Sequence, residues 1–147
     1  EYFSFVWKLY YEMQMPMLLG FKKVYGDLES FHVHGICLIN HALNSKRNDN
    51  SEMSKEFYLE KYFFADKKDF SGVNAMSISE ITGIPRATVI RKLNRLLKEK
   101  FLKIDSKKHY STTGVNQKEI LGVQKKTLNN LSNFVARIYN LSLIKDN

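Results

Sequence analysis

Nine basic side chains crowd one stretch of the chain: Arg86, Arg91, Lys92, Arg95, Lys98, Lys100, Lys103, Lys107 and Lys108. Only Glu99 and Asp105 oppose them there, while the rest of the chain holds 14 basic and 13 acidic residues. These 23 consecutive residues therefore carry nearly all of the formal net charge of +8. The chemistry available to such a cluster is polyanion binding. A guanidinium forks onto a phosphate or onto the acceptors of a guanine edge, and an ammonium acts as a point charge against phosphate. Ordinary solvated helices intersperse acids among their bases, and this segment scarcely does. A concentrated block of this kind points to a nucleic-acid-binding face.

Other reactive residues assemble less. His34 and His41 share a helical face, but His32 does not, and no cysteine or carboxylate cluster completes a tetrahedral metal set. No metal and no cofactor is expected, and these histidines read as buried or interfacial. The single cysteine, Cys37, reads as a small buried hydrophobe, with redox sensing as the sharper alternative. One cysteine allows no internal disulfide. No nucleophile elbow, phosphate-binding loop or dinucleotide fingerprint is present, so no enzyme is expected.

The cations need elements to hold them. Ser77 followed by Glu80 has the spacing of a capping box and marks a helix start. Gly83 ends that short helix and Pro85 opens the next, so "GIP" predicts a tight joint, with Ile81 and Ile84 able to lock the two helices. The second helix is predicted over Arg86 to Lys98. At 100° per residue its Val89, Ile90, Leu93, Leu96 and Leu97 lie within an arc of about 120°. Ala87, Thr88, Arg91, Arg95 and Lys98 fall opposite, with Lys92 at the edge. Small residues near the helix start and arginines behind them suit a helix entering a major groove. After Lys100 the period changes from 3.6 to 2: "FLKI", the turn "DSKK" and "HYSTT" predict a hairpin with Lys107 and Lys108 at its tip.

The run "ISEITGIPRATVIRKLNRLLKEKFLKI", with the later "HYSTTG", resembles the winged helix-turn-helix of bacterial transcriptional regulators, and the arrangement of flanking helices resembles the MarR type. The resemblance covers residues 77–113. It implies that the hairpin is a wing, that the helix at 86–98 is the recognition helix, and that terminal helices of two subunits form a dimer. The turn departs from the pattern, since the arginine of the family's wing tip has no counterpart in "DSKK".

Outside this module the pattern predicts helices. Residues 2–19 form an aromatic-rich helix disturbed at Pro16, with a connector bracketed by Gly20 and Gly26. A second helix covers 28–44, with Leu28, Phe31, Gly35, Leu38, Ile39 and Ala42 on one face. Loops are expected at 44–51 and 66–74, and a further helix at 52–65 built on Met53, Phe57, Tyr62 and Phe64. A closing helix spans 116–144, where Leu128, Leu131, Val135 and Ile138 make a heptad-like seam. The N-terminal aromatics favour a subunit interface over a ligand pocket, though a small-molecule effector site stays open.

The expected protein is mainly α with a small β-hairpin wing, a single winged helix-turn-helix domain with flanking dimerisation helices. Its parts are N-terminal helices (1–70), the helix-turn-helix and wing (71–114) and a C-terminal dimerisation helix (115–147). Hydrophobic residues are 44% of the chain, too many for disorder. No apolar run approaches the roughly 18 residues of a membrane span, and the N-terminus lacks the layout of a signal peptide. A cytoplasmic, homodimeric, sequence-specific double-stranded DNA-binding transcriptional regulator is expected. Arg86, Ala87, Thr88, Arg91, Lys92, Arg95, Lys107 and Lys108 are its DNA-binding residues, with successive major grooves of a palindrome engaged roughly 34 Å apart. The alternative is a winged-helix module for protein interaction, or for RNA or replication, without operator specificity.

Overall fold

A computed structural model describes residues 2–47, 72–114 and 117–145. In chain order the elements are α1 (Tyr2–Tyr25), α2 (Leu28–Arg47), α3 (Ala75–Thr82), α4 (Arg86–Lys98), β1 (Leu102–Ile104), β2 (Tyr110–Thr112) and α5 (Gln117–Lys145). The described residues are thus mainly helical, with one two-stranded antiparallel hairpin. None of the described helices is long and apolar enough to cross a membrane. The helix expected at 52–65 lies outside the described residues.

The chain divides into two compact units, residues 27–117 and the pair formed by 1–26 with 118–147. The N-terminal helices therefore part company, α1 joining the last helix and α2 joining the basic segment.

In the 27–117 unit, α3 starts three residues earlier than the Ser77–Glu80 spacing suggests. Asn74 is the N-cap, and its side chain accepts from the Ser77 amide at 2.9 Å. Asn caps as well as Ser, and here it comes first. Just before it, Val73 exchanges two backbone hydrogen bonds with Tyr110, at 3.0 and 2.9 Å. Residues 72–74 are therefore not free loop but a one-residue bridge on the outer side of β2. Gly72 permits that approach, since a Cβ there would lie 2.5 Å from the Tyr110 carbonyl oxygen.

Gly83, at φ 70°, ends α3 as expected, and α4 runs from Arg86 to Lys98 behind Pro85. The joint is not locked by Ile81, which is 63% exposed. Hydroxyls hold it instead: Ser79 donates to the Ile84 carbonyl at 2.7 Å, and the Ile84 amide donates to Thr82 Oγ1 at 3.3 Å. At its other end α4 closes with a left-handed Lys100 (φ 61°). The Phe101 amide returns to Leu96 O and the Lys100 amide to Leu97 O, satisfying the last carbonyls. This turn buries Phe101 and leads into β1. The hairpin pairs Leu102 with Thr112, Lys103 with Ser111 and Ile104 with Tyr110.

The core of this unit collects Val33, Cys37 and Leu38 from α2, Ile78 from α3, Val89, Leu93 and Leu96 from α4, and Phe101, Leu102 and Tyr110 from the hairpin. The buried stripe of α2 is Ser30, Val33, His34, Cys37, Leu38 and His41, so Leu28, Phe31 and Ile39 are not on it. The aromatic ring of Phe101 meets the edge of the His34 imidazole, with centroids 5.6 Å apart. α2 also continues to Arg47, through residues expected to be loop.

In the helix pair, α1 is unbroken across Pro16 and Gly20. Proline removes one N–H from the helical ladder, and the rest of the ladder carries the helix through. Gly20 is no connector. It sits against α5, where a Cβ would lie 2.9 Å from Val123 Cγ1. The two helices run antiparallel: Tyr10 packs edge-on against Phe134, and Arg137 donates to Glu12 at 2.8 Å.

Candidate nucleic-acid interface

Val89, Lys92, Leu93 and Leu96 form the buried stripe of α4, spaced three, one and three. Ile90, expected inside, is 38% exposed, and Lys92 takes the inward place at 9% exposure. The reason lies on α2. Asp27 and Glu29 stand at its first turn, and the Lys92 ammonium reaches both, at 2.8 Å to Asp27 Oδ2 and 3.1 Å to Glu29 Oε2. Asp27 also takes Arg95 Nη1 at 3.1 Å, while Arg95 Nε donates to Glu99 at 2.8 Å. The five side chains alternate in sign as Glu29, Lys92, Asp27, Arg95 and Glu99.

Asp27 is at the same time the cap of α2. Its Oδ1 accepts the Ser30 amide at 2.7 Å, and its Oδ2 accepts the Ser30 hydroxyl at 3.1 Å. Burial works against ionisation of Asp27. The hydrogen bonds from Lys92 and Ser30, with the Lys92 charge, outweigh burial and hold the carboxyl below its usual range. Burial likewise disfavours the Lys92 ammonium, but its bonds to Asp27 and Glu29 raise its pKa above the usual lysine value.

The other candidate residues face solvent. Arg86, Ala87 and Arg91 are exposed and Thr88 is half-buried. Arg86, Arg91 and Lys98 make no ion pair among the described residues. Along the outer face of α4 the residues are Ala87, Arg91, Asn94 and Lys98, spaced four, three and four, all exposed. Asn94 was missing from the sequence-based set, although its place between Arg91 and Lys98 is legible from helical spacing alone. Its amide can serve one adenine edge as donor and acceptor together.

Lys107 and Lys108 sit exposed at the hairpin tip. Asp105 builds that tip: its Oδ1 accepts the amides of Lys107 at 2.9 Å and His109 at 2.8 Å. These bonds, led by that from the His109 amide, lower the Asp105 pKa. Lys108 adopts a left-handed φ of 61° to turn the chain. The one acid near the tip is thus spent on the backbone of the turn, and the two ammonium groups project past it.

The buried reactive groups on α2 are quiet. Burial pushes the Cys37 thiol up to about 12 and the His34 imidazole down to about 4. At neutral pH both are uncharged. No group of three His, Cys, Asp or Glu suited to a metal ion occurs among the described residues.

No family model, curated protein or solved structure matches this chain.

Proposed function

We propose that the chain is a sequence-specific double-stranded DNA-binding regulator. In this reading it is a winged helix-turn-helix of MarR-like type acting as a homodimer and without enzymatic activity, with α4 as the recognition helix and the hairpin as the wing. The observation that carries the reading is the outer stripe of α4. Ala87, Arg91, Asn94 and Lys98 present a small residue, two cations and an amide over about 16 Å of helix axis with no acid among them. A helix of this width and surface fits a major groove. Three fully buried side chains, Val89, Leu93 and Leu96, fix its back to the unit, so the stripe is presented rigidly. The lysines at the hairpin tip supply phosphate contacts beside it.

Exposed apolar residues on the terminal helices support the homodimer. Leu128, Leu131 and Val135 of the seam are 51%, 41% and 56% exposed in the single chain. On α1, Phe3, Trp7, Tyr11, Met15 and Leu19 recur every four residues and are exposed too. Rows of exposed large apolar side chains on isolated chains mark protein interfaces.

The test is selection of bound duplexes from a random pool, followed by titration of the selected sequence against salt. Arg91→Ala should weaken binding about tenfold or more and relax preference at one base position. Lys107→Ala with Lys108→Ala should weaken all sequences alike and reduce the log–log salt slope by about two. Equal affinity of Arg91→Ala and the unaltered protein would overturn the assigned face. Stronger capture of single-stranded RNA than of the selected duplex would favour the RNA-associated alternative.

A further inference from the structure

We infer that Asp27 is a positioning residue that withholds Lys92 and Arg95 from the phosphate backbone, so that α4 grips DNA through Arg86, Arg91 and Lys98. This rests on the DNA-binding reading of α4.

The geometry is a clasp. One carboxylate oxygen, Asp27 Oδ2, lies 2.8 Å from Lys92 Nζ and 3.1 Å from Arg95 Nη1. Glu29 closes the far side of Lys92, and Glu99 closes the far side of Arg95. Three acids thus surround two cations, so both positive charges are matched by carboxylates. An incoming phosphate meets on these two residues no spare positive charge, but a site already filled by carboxylates of its own sign. Arg95 keeps 40% of its side chain exposed, so the clasp blocks it by charge rather than by burial.

The consequence is a trade between affinity and discrimination. Phosphate contacts add affinity without regard to sequence, whereas base-edge contacts separate one sequence from another. Removing two of the five α4 cations from the phosphate set lowers non-specific binding and leaves the base-facing stripe intact. Asp27 is suited to the task because its other hydrogen bonds anchor it. As the cap of α2 it receives the Ser30 amide and hydroxyl, so its own helix holds the carboxylate in place.

Asp27→Asn is the decisive variant, because Asn caps a helix as well as Asp but carries no charge. Binding to a duplex of arbitrary sequence is measured from 50 to 200 mM salt for the unaltered protein, Asp27→Asn and Glu119→Gln. The last is an exposed acid on α5 that supplies the same change in net charge. Asp27→Asn should bind the arbitrary duplex more tightly than Glu119→Gln. Its log–log slope should be steeper by about 0.9, the release of one further counterion, so that about 3.5-fold more affinity is lost across that salt range. The gap between a selected and an arbitrary duplex should narrow.

A merely structural role moves the readout the other way, since a displaced α4 would bind more weakly and with a shallower slope. Weaker binding by Asp27→Asn, or a slope equal to that of Glu119→Gln, overturns the inference while the DNA-binding reading stands. If circular dichroism shows Asp27→Asn to be unfolded, Glu99→Gln decides by the same criterion, because it removes one of the two carboxylates that hold Arg95 without stranding the buried Lys92. If neither the unaltered protein nor Asp27→Asn holds duplex DNA at 50 mM salt, the reading falls and the inference with it.

Discussion

The inner face of α4 in the 27–117 unit and the long outer stripes of the terminal helices treat their large apolar side chains differently. On α4, Val89, Leu93 and Leu96 are fully buried, and even a lysine is drawn inward once acids are there to receive it. On α1 and α5, Trp7, Tyr11, Met15, Leu19, Leu128, Leu131 and Val135 remain exposed. Between those two helices a groove of about 720 Å³ stays open beside Gly20 and Gly122. The first unit closes a core around α4, although Ile39, Leu43, Met76, Ile81, Ile90 and Ile104 stay exposed on its surface. The second retains a supply of apolar surface for something else, which in the proposed reading is a second copy of the chain.

The largest effect should come from truncating the closed unit. Leu93→Ala removes three heavy atoms' worth of contacts at a fully buried position and should cost about 3 kcal/mol. The same change at Leu131, 41% exposed, should cost the isolated chain less than about 1 kcal/mol. Urea denaturation at low concentration measures both. Leu131→Asp, by contrast, should leave secondary structure intact and halve the mass seen in sedimentation. Equal costs for the two alanine variants, or an unchanged mass for Leu131→Asp, would erase the contrast between the units.

How much of this could be read in advance depends on whether the cause is local. The bounds of α4 were legible because Gly83, Pro85 and a 3.6-residue period all act within a few positions. The hairpin was legible from alternation and the "DSKK" turn. Lys92 was not, because its partners lie on another element and a helical wheel cannot see across that distance. Arg95 and Asp27 stand 68 positions apart in the chain. Pro16 and Gly20 misled for the opposite reason. Each is a strong local breaker, yet one lost N–H is tolerable in a 24-residue helix, and Gly20 serves a tertiary approach to Val123. The N-cap was missed because Asn74 and Ser77 both suit the role, and only the bridge at Val73 decides where the chain arrives.

A middle-sized effect concerns acid and base. Asp27 titrates lower in the folded chain than its usual value of about 4, so its contribution is full above that value and is lost as pH falls through the folded pKa. Lys92 titrates above its usual value of about 10.4, so its contribution is full below that value and is lost as pH rises through the folded pKa. The clasp therefore stabilises the unit across neutral pH and fails at both extremes. Thermal melts of the unaltered protein and of Asp27→Asn should differ most between about pH 5 and 9, and should begin to converge as pH falls below about 4. A difference that does not vary with pH would show that the charge of Asp27 contributes nothing to stability.

The smallest effect probes the two turns that frame α4. Gly83 and Lys100 adopt nearly the same left-handed conformation, with φ of 70° and 61°. Glycine takes it freely, whereas a side chain at Lys100 is strained by about 1 kcal/mol. Nothing in the closure of α4 calls for a lysine, since the amides of Lys100 and Phe101 make the closing bonds and any residue supplies them. Its ammonium is exposed on the unit that carries the cation stripe. Lys100→Gly should therefore leave stability unchanged or raise it by up to about 0.5 kcal/mol, the relieved strain less the extra freedom of an unfolded glycine. If the lysine is kept for phosphate, the same variant should bind DNA with a salt slope shallower by up to about one. A folded variant with an unchanged slope would confine Lys100 to the fold, and the cation set would then be α4 and the hairpin tip alone.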